Sequence, residues 1–109
     1  MPSFESDIPE SKYRSVAAMF RALSNPYRLR IYNALLERYS DTVVEETLEE
    51  DANCQRGFAD MLGLAPSTVS HHFKELRQAG LIHKERKGKN VLFWVDIEAS
   101  ELMKDFIGK

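Results

Sequence analysis

The sequence predicts a mostly α-helical α+β domain with one small β-hairpin, on three observations. Apolar residues recur at helical spacing over most of the chain. Two strand-like runs, LIHKER at residues 81–86 and VLFWV at 91–95, flank the turn Lys87-Gly88-Lys89-Asn90, where Gly and Asn tolerate the positive φ of a hairpin. Finally, the stretch PSTVSHHFKELRQAG at residues 66–80 has both ends marked, by a proline suited to a first helical position and a glycine suited to the position just past the last.

Length and composition bound the answer. A chain of 109 residues buries one modest core, so residues 11–109 read as a single domain. With 43% hydrophobic and 29% charged residues the composition is that of an ordinary globular protein, and no apolar run approaches the ~20 residues of a membrane span. The acidic opening MPSFESDIPE has no signal-peptide pattern and the single cysteine makes no internal disulfide, so a cytoplasmic protein without a membrane partner is expected. A net charge of −2 conceals a strong asymmetry. Residues 66–90 carry six Lys/Arg against Glu75 and Glu85, whereas residues 40–60 carry seven Asp/Glu against Arg56 alone. A phosphate backbone senses the patch and not the total.

Taken in order, residues 1–10 read as a loose arm. A helix is expected from Ser11, where Tyr13, Val16, Ala17, Phe20 and Leu23 follow helical spacing. Asn25-Pro26 is an N-cap followed by a first-turn proline, opening a second helix to about Tyr39 with Leu29, Tyr32, Leu35 and Leu36 inward and Arg28, Arg30 and Arg38 outward. SDTVVEETLEEDANCQ, about residues 40–55, reads as an acidic insertion, either a helical turn or a loop, that DNA would repel and that should therefore face away from it or project at the side. Residues 56–62 give the next helix, with Phe58 and Leu62 inward and Gly63 at the turn. After residues 66–80 and the hairpin at 81–95, Asp96 caps a last helix over 97–107 whose apolar edge is Leu102, Met103, Phe106 and Ile107. Trp94 reads as a core or interface aromatic.

The helix over residues 66–80 buries Val69, Phe73 and Leu76 and leaves Ser67, Thr68, Ser70 and His71 outward, small groups that donate and accept hydrogen bonds without holding the backbone away from a major groove. These are the candidate base-reading residues. Lys74, Arg77, Lys84, Arg86, Lys87 and Lys89 are the candidate phosphate contacts. A helix-turn-helix followed at once by a basic hairpin is the winged helix-turn-helix arrangement, and its expected partner is double-stranded DNA. The alternative is a winged module that contacts another protein through its acidic stretch.

FRALSNPYRLRIYNALLE, then LGLAPSTVSHHFKELRQAGLI, then the basic hairpin closely resemble the arsenical-resistance-repressor (ArsR-type) winged-helix regulators, over roughly residues 13–107. The resemblance implies a homodimeric bacterial or archaeal repressor that leaves its operator when a signal arrives. It also implies dimerisation through the first and last helices, placing Val16, Phe20, Leu23, Leu102, Met103 and Phe106 at the interface; otherwise the first helix closes the monomer's own core. Metal-sensing members carry a cysteine cluster before the recognition helix. Alignment back from Ser70 puts Cys54 on its first position, but Arg56 and Ala59 stand where partner cysteines belong, and one thiolate does not satisfy a soft metal. A second metal site of the family needs a histidine in the last helix, and no histidine follows His83. No metal or cofactor is therefore expected. Cys54 reads as a small buried hydrophobe or as a redox sensor. Catalysis by Cys54 with His71 or His72 is excluded by the lack of an oxyanion hole and of a third, orienting group; the chain is not expected to be an enzyme.

Overall fold

A computed structural model describes residues 4, 6–40 and 42–108, in the order α1 (Glu10–Leu23), α2 (Pro26–Tyr39), β1 (Val44–Thr47), α3 (Leu48–Leu62), α4 (Pro66–Gln78), β2 (Ile82–Lys87), β3 (Asn90–Val95) and α5 (Ile97–Ile107). Of the arm expected over residues 1–10, Met1, Pro2, Ser3 and Glu5 lie outside the described residues, and Glu10 already opens α1. Among the described residues no helix is long and apolar enough to cross a membrane.

The helix ends follow local chemistry. Asn25 Oδ1 accepts the Tyr27 and Arg28 backbone N–H groups at 2.9 and 3.2 Å and so caps α2, with Pro26 just inside. Asp96 caps α5 by accepting the Ala99 N–H at 2.9 Å. Gly63, at φ 68°, closes α3 in a left-handed conformation open to glycine and costly to other residues. At the hairpin only Gly88 takes a positive φ, 59°; Asn90 is not part of the turn but the first residue of β3, paired with Lys87. The connection is thus the two-residue loop Gly88-Lys89, which needs glycine in its first position alone.

The acidic segment departs most from expectation. It is neither a loop nor an isolated helical turn. Residues 44–47 form β1, antiparallel to β3 from Val44↔Phe93 to Thr47↔Asn90, which makes β3 the centre of a three-stranded sheet of order β1-β3-β2. Thr47 then caps α3 through a reciprocal capping box: Thr47 Oγ1 accepts the Glu50 N–H at 3.1 Å, and Glu50 Oε1 accepts the Thr47 N–H at 3.0 Å. The first helix of the helix-turn-helix accordingly begins at Leu48, eight residues before the expected start at Arg56. Glu49, Glu50 and Asp51 occupy its first turn, where the helix dipole favours negative charge.

The core gathers Ile31 and Leu35 from α2, Val69, Phe73 and Leu76 from α4, and Leu81 and Ile82 at the entry to β2. Each such fully buried aliphatic side chain contributes on the order of 1.5–3 kcal/mol. Val16 and Met103, expected at a dimer interface, are 3% and 6% exposed and belong to this core, because α1 and α5 pack against each other and their deepest positions seal the monomer. Phe20, Leu23, Leu102 and Phe106 remain half-buried at its edge, with Phe106 edge-on to Tyr13 at 5.7 Å. Leu29, expected inward, is 49% exposed, and Ile107 is 71% exposed. Both line an apolar groove with Phe20, Leu23, Leu36 and Met103.

Arg28, expected outward, is half-buried and joins three helices. Its Nε donates to the Ala22 carbonyl of α1 at 2.6 Å and its Nη1 lies 3.3 Å from Nδ1 of His72 in α4. A guanidinium has only donors, so Nδ1 accepts and the ring is neutral with its proton on Nε2. His72 is buried and stacks on Tyr27 at 6.1 Å. Burial first, then the neighbouring Arg28 charge, holds its pKa below the usual 6.5.

Two expected outcomes follow from these contacts. Thr47→Ala should lower stability by about 1 kcal/mol, read as a shifted midpoint with unchanged slope in urea unfolding. For His72, the unfolded chain binds the proton more tightly than the fold does. The stability contributed by the neutral ring is therefore fully present above pH ~6.5 and lost as the pH falls through the lower folded pKa. The stability gap between the native protein and His72→Gln should narrow over that acidic range in unfolding curves taken at successive pH values; a constant gap would contradict it.

Candidate nucleic-acid interface

Helix α4 has two faces. Val69, His72, Phe73 and Leu76 are buried, with Phe73 packed on Phe58 of α3 at 5.7 Å. On the other side Ser67, Thr68, Ser70, His71 and Lys74 are all exposed. Consecutive residues of a helix lie about 100° apart, so His71 faces out where His72 faces in. Gln78 continues the exposed row, a position that sequence reasoning missed; its spacing of four from Lys74 is the signal that would have found it.

Two of the outward groups are held in place. Ser70 Oγ donates to Gln55 Oε1 of α3 at 2.9 Å, and His71 Nε2 sits 3.6 Å from Glu75 Oε1 one turn on. Ser67, Thr68 and Lys74 make no side-chain hydrogen bond among the described residues and are open to a ligand. Gln55 had no local signal: its role depends on the angle at which α3 meets α4.

The hairpin β2–β3 is the wing, and its cations are not equivalent. Lys84 is bonded to Asp51 of α3, and the two side chains are only 24% and 17% exposed. Lys84 thereby fastens the wing to α3 and is drawn away from the phosphate role expected of it. Lys87 Nζ lies 3.0 Å from Glu45 Oε1, with side chains 62% and 42% exposed. Glu45 Oε2 also accepts from Asn90 Nδ2 at 2.8 Å. The Asn90 amide first, then Lys87, holds the Glu45 carboxyl below the usual carboxylate range. Arg86 Nε donates to the Gly88 carbonyl at 2.8 Å across the loop, and among the described residues neither Arg86 nor Lys89 makes an ion pair. Arg77 is half-buried in the last turn of α4. Part of the acidic segment lies beside the basic surface: β1 runs along the wing, because the free edge of β3 offers it a hydrogen-bonding partner.

Behind the wing, His83 Nε2 is 2.8 Å from Asp96 Oδ2 and its ring stacks on Trp94 at 5.2 Å, so Trp94 supports the root of the hairpin. Cys54 is half-buried beside a groove lined by Arg38, Tyr39, Phe58 and Met61. Burial first, then Glu46 and Asp51, pushes its thiol pKa up, which opposes thiolate formation. Among the described residues no three His, Cys, Asp or Glu side chains are grouped to hold a metal ion.

The sequence and the fold are similar to those of known proteins. The family model for "Bacterial regulatory protein, arsR family" matches residues 25–84, from the cap of α2 into the wing. An uncharacterized HTH-type transcriptional regulator of Bacillus subtilis, YbzH, is 34% identical over 91 residues, covering 82% of this chain and 91% of that one. The cadmium resistance transcriptional regulatory protein CadC of Listeria innocua is 29% identical over 81 residues, or 74% of this chain, and the match spans 58% of that relative's length. Among solved structures, the homodimeric winged helix-turn-helix DNA-binding domain Mb0332 from Mycobacterium bovis aligns with a TM-score of 0.60 at 20% identity, covering 98% of this chain and 88% of that one. The chain belongs to the arsR family of bacterial regulatory proteins, a family of winged helix-turn-helix transcriptional regulators and not of enzymes.

Proposed function

We propose that the protein is a cytoplasmic, homodimeric repressor that binds a specific DNA operator and leaves it in response to a signal. The observation that carries this reading is the exposed polar row of α4, seated on a buried apolar stripe and flanked by a wing whose tip presents Arg86, Lys87 and Lys89. Ser67, Thr68, Ser70 and His71 read base edges in the major groove, Ser70 from a position set by Gln55. Lys74 and Arg77 on the helix and Arg86, Lys87 and Lys89 on the wing hold phosphates. Lys84 acts chiefly as the strut between wing and α3.

The dimer forms over the groove that Phe20, Leu23, Leu29, Leu36 and Ile107 leave open on the α1/α2/α5 side. Apolar side chains left wholly or partly exposed in one groove mark a surface meant to be covered. Two recognition helices related by a two-fold axis then meet two half-sites about one DNA turn apart. The signal acts elsewhere than at a cysteine-cluster metal site, because Cys54 is a single thiol with its pKa raised.

The test of operator binding is selection of bound genomic fragments followed by variants on the recovered site. Ser67→Ala or His71→Ala should relax discrimination by about 1–3 kcal/mol at the affected base pairs. Lys87→Ala with Lys89→Ala should weaken all sequences alike and flatten the salt dependence by up to ~0.9 in log–log slope for each phosphate no longer held. Absence of any duplex binding at ~50 mM salt would favour a protein-interaction module instead. For the dimer, Phe20→Glu should give monomers in sedimentation and weaken operator binding; a native protein that sediments as a monomer at micromolar concentration would refute the assembly.

A further inference from the structure

Lys87, at the wing tip, already holds an anion of its own. Glu45 reaches it from β1 at 3.0 Å and is fixed there by a second bond, which Asn90 Nδ2 donates at 2.8 Å. The register explains the placement. Lys87 and Asn90 are paired across the β2–β3 ladder, and Glu45 of β1 meets Leu92 on the other side of β3, so its carboxylate spans the hairpin close to the loop. We infer that Glu45 is an intramolecular counter-ion for the wing, occupying Lys87 in free protein and lowering the wing's affinity for DNA phosphate. The inference rests on the wing–phosphate contact proposed above.

The competition is direct. An ammonium that engages a DNA phosphate must release the Glu45 carboxylate, which then stays close to the phosphate and repels it. The Glu45–Lys87 pair is exposed enough to exchange in this way, whereas the Lys84–Asp51 pair is two to three times less exposed and stays as a strut. The penalty falls equally on every sequence, since phosphates carry no sequence information. Base readout by α4 is untouched. The counter-ion therefore lowers affinity for operator and random duplex alike and leaves the ratio between them to the base contacts of α4.

Glu45→Gln separates charge from shape, because a glutamine oxygen still accepts from Asn90 while the attraction to Lys87 disappears. On a duplex of random sequence at ~0.1 M salt, measured by fluorescence anisotropy, Glu45→Gln should bind roughly two- to five-fold tighter. Its salt dependence should be steeper by up to ~0.9 in log–log slope. In a Lys87→Ala background the same substitution should change both much less. A gain that persists undiminished without Lys87 reflects bulk charge and overturns the inference. So does an unchanged or weaker Glu45→Gln while Lys87→Ala still weakens binding, a result that leaves the wing's hold on phosphate standing. If Lys87→Ala and Lys89→Ala both leave binding and salt slope untouched, the wing–phosphate reading itself fails and takes the counter-ion role with it.

Discussion

The seat of α4 against α2 and α3 fixes the rotation of that helix about its own axis, and the rest of the nucleic-acid surface depends on this rotation. Val69, Phe73 and Leu76 supply the buried area, but apolar contacts are non-directional and tolerate sliding. The Arg28–His72 hydrogen bond is directional, and Arg28 is itself held by the Ala22 carbonyl at the end of α1. One residue of slip would turn the helix by about 100° and exchange the exposed hydroxyls for its apolar stripe. A polar pair at this depth resists that slip in a way another leucine would not.

How much of the fold is legible in the chain depends on the range of the interaction involved. Caps and breakers act over a few residues, so Asn25-Pro26, Gly63, Pro66, Gly88 and Asp96 mark real ends in the fold. Helical spacing likewise identifies the inward stripe of α4. Strand β1 is not legible because four residues of Val-Glu-Glu-Thr have no strand preference strong enough to stand alone; they extend because β3 presents an unpaired edge about 45 residues later in the sequence. The start of α3 is different, since Thr47-Leu48-Glu49-Glu50 is the Thr-x-x-Glu pattern of a capping box and carries its own local signal. The acidic composition of the surrounding stretch masks it.

The candidate site shows the same division. Which α4 residues point outward follows from period alone, whereas the partners of those residues do not. Gln55 beneath Ser70, Asp51 on Lys84 and Glu45 on Lys87 are contacts between elements, set by how α3 and β1 dock. Counting basic residues in the wing therefore overstates the charge available there. On the opposite side, the edges of α1 and α5 are apolar as their spacing indicates, but burial of Val16 and Met103 within the monomer leaves a shallower exposed strip than the spacing suggests.

Strand β1 also governs how the sheet behaves toward other molecules. A two-stranded hairpin would leave the second side of β3 to be satisfied by whatever strand came near, including the same strand of another molecule. β1 takes up the second side of β3 and becomes the new margin. That margin is only four residues long and carries Glu45 and Glu46. Another copy approaching it would find little backbone to pair with and two like charges in register, so the chain is guarded against growing into edge-to-edge aggregates at the place where an exposed strand would otherwise invite them.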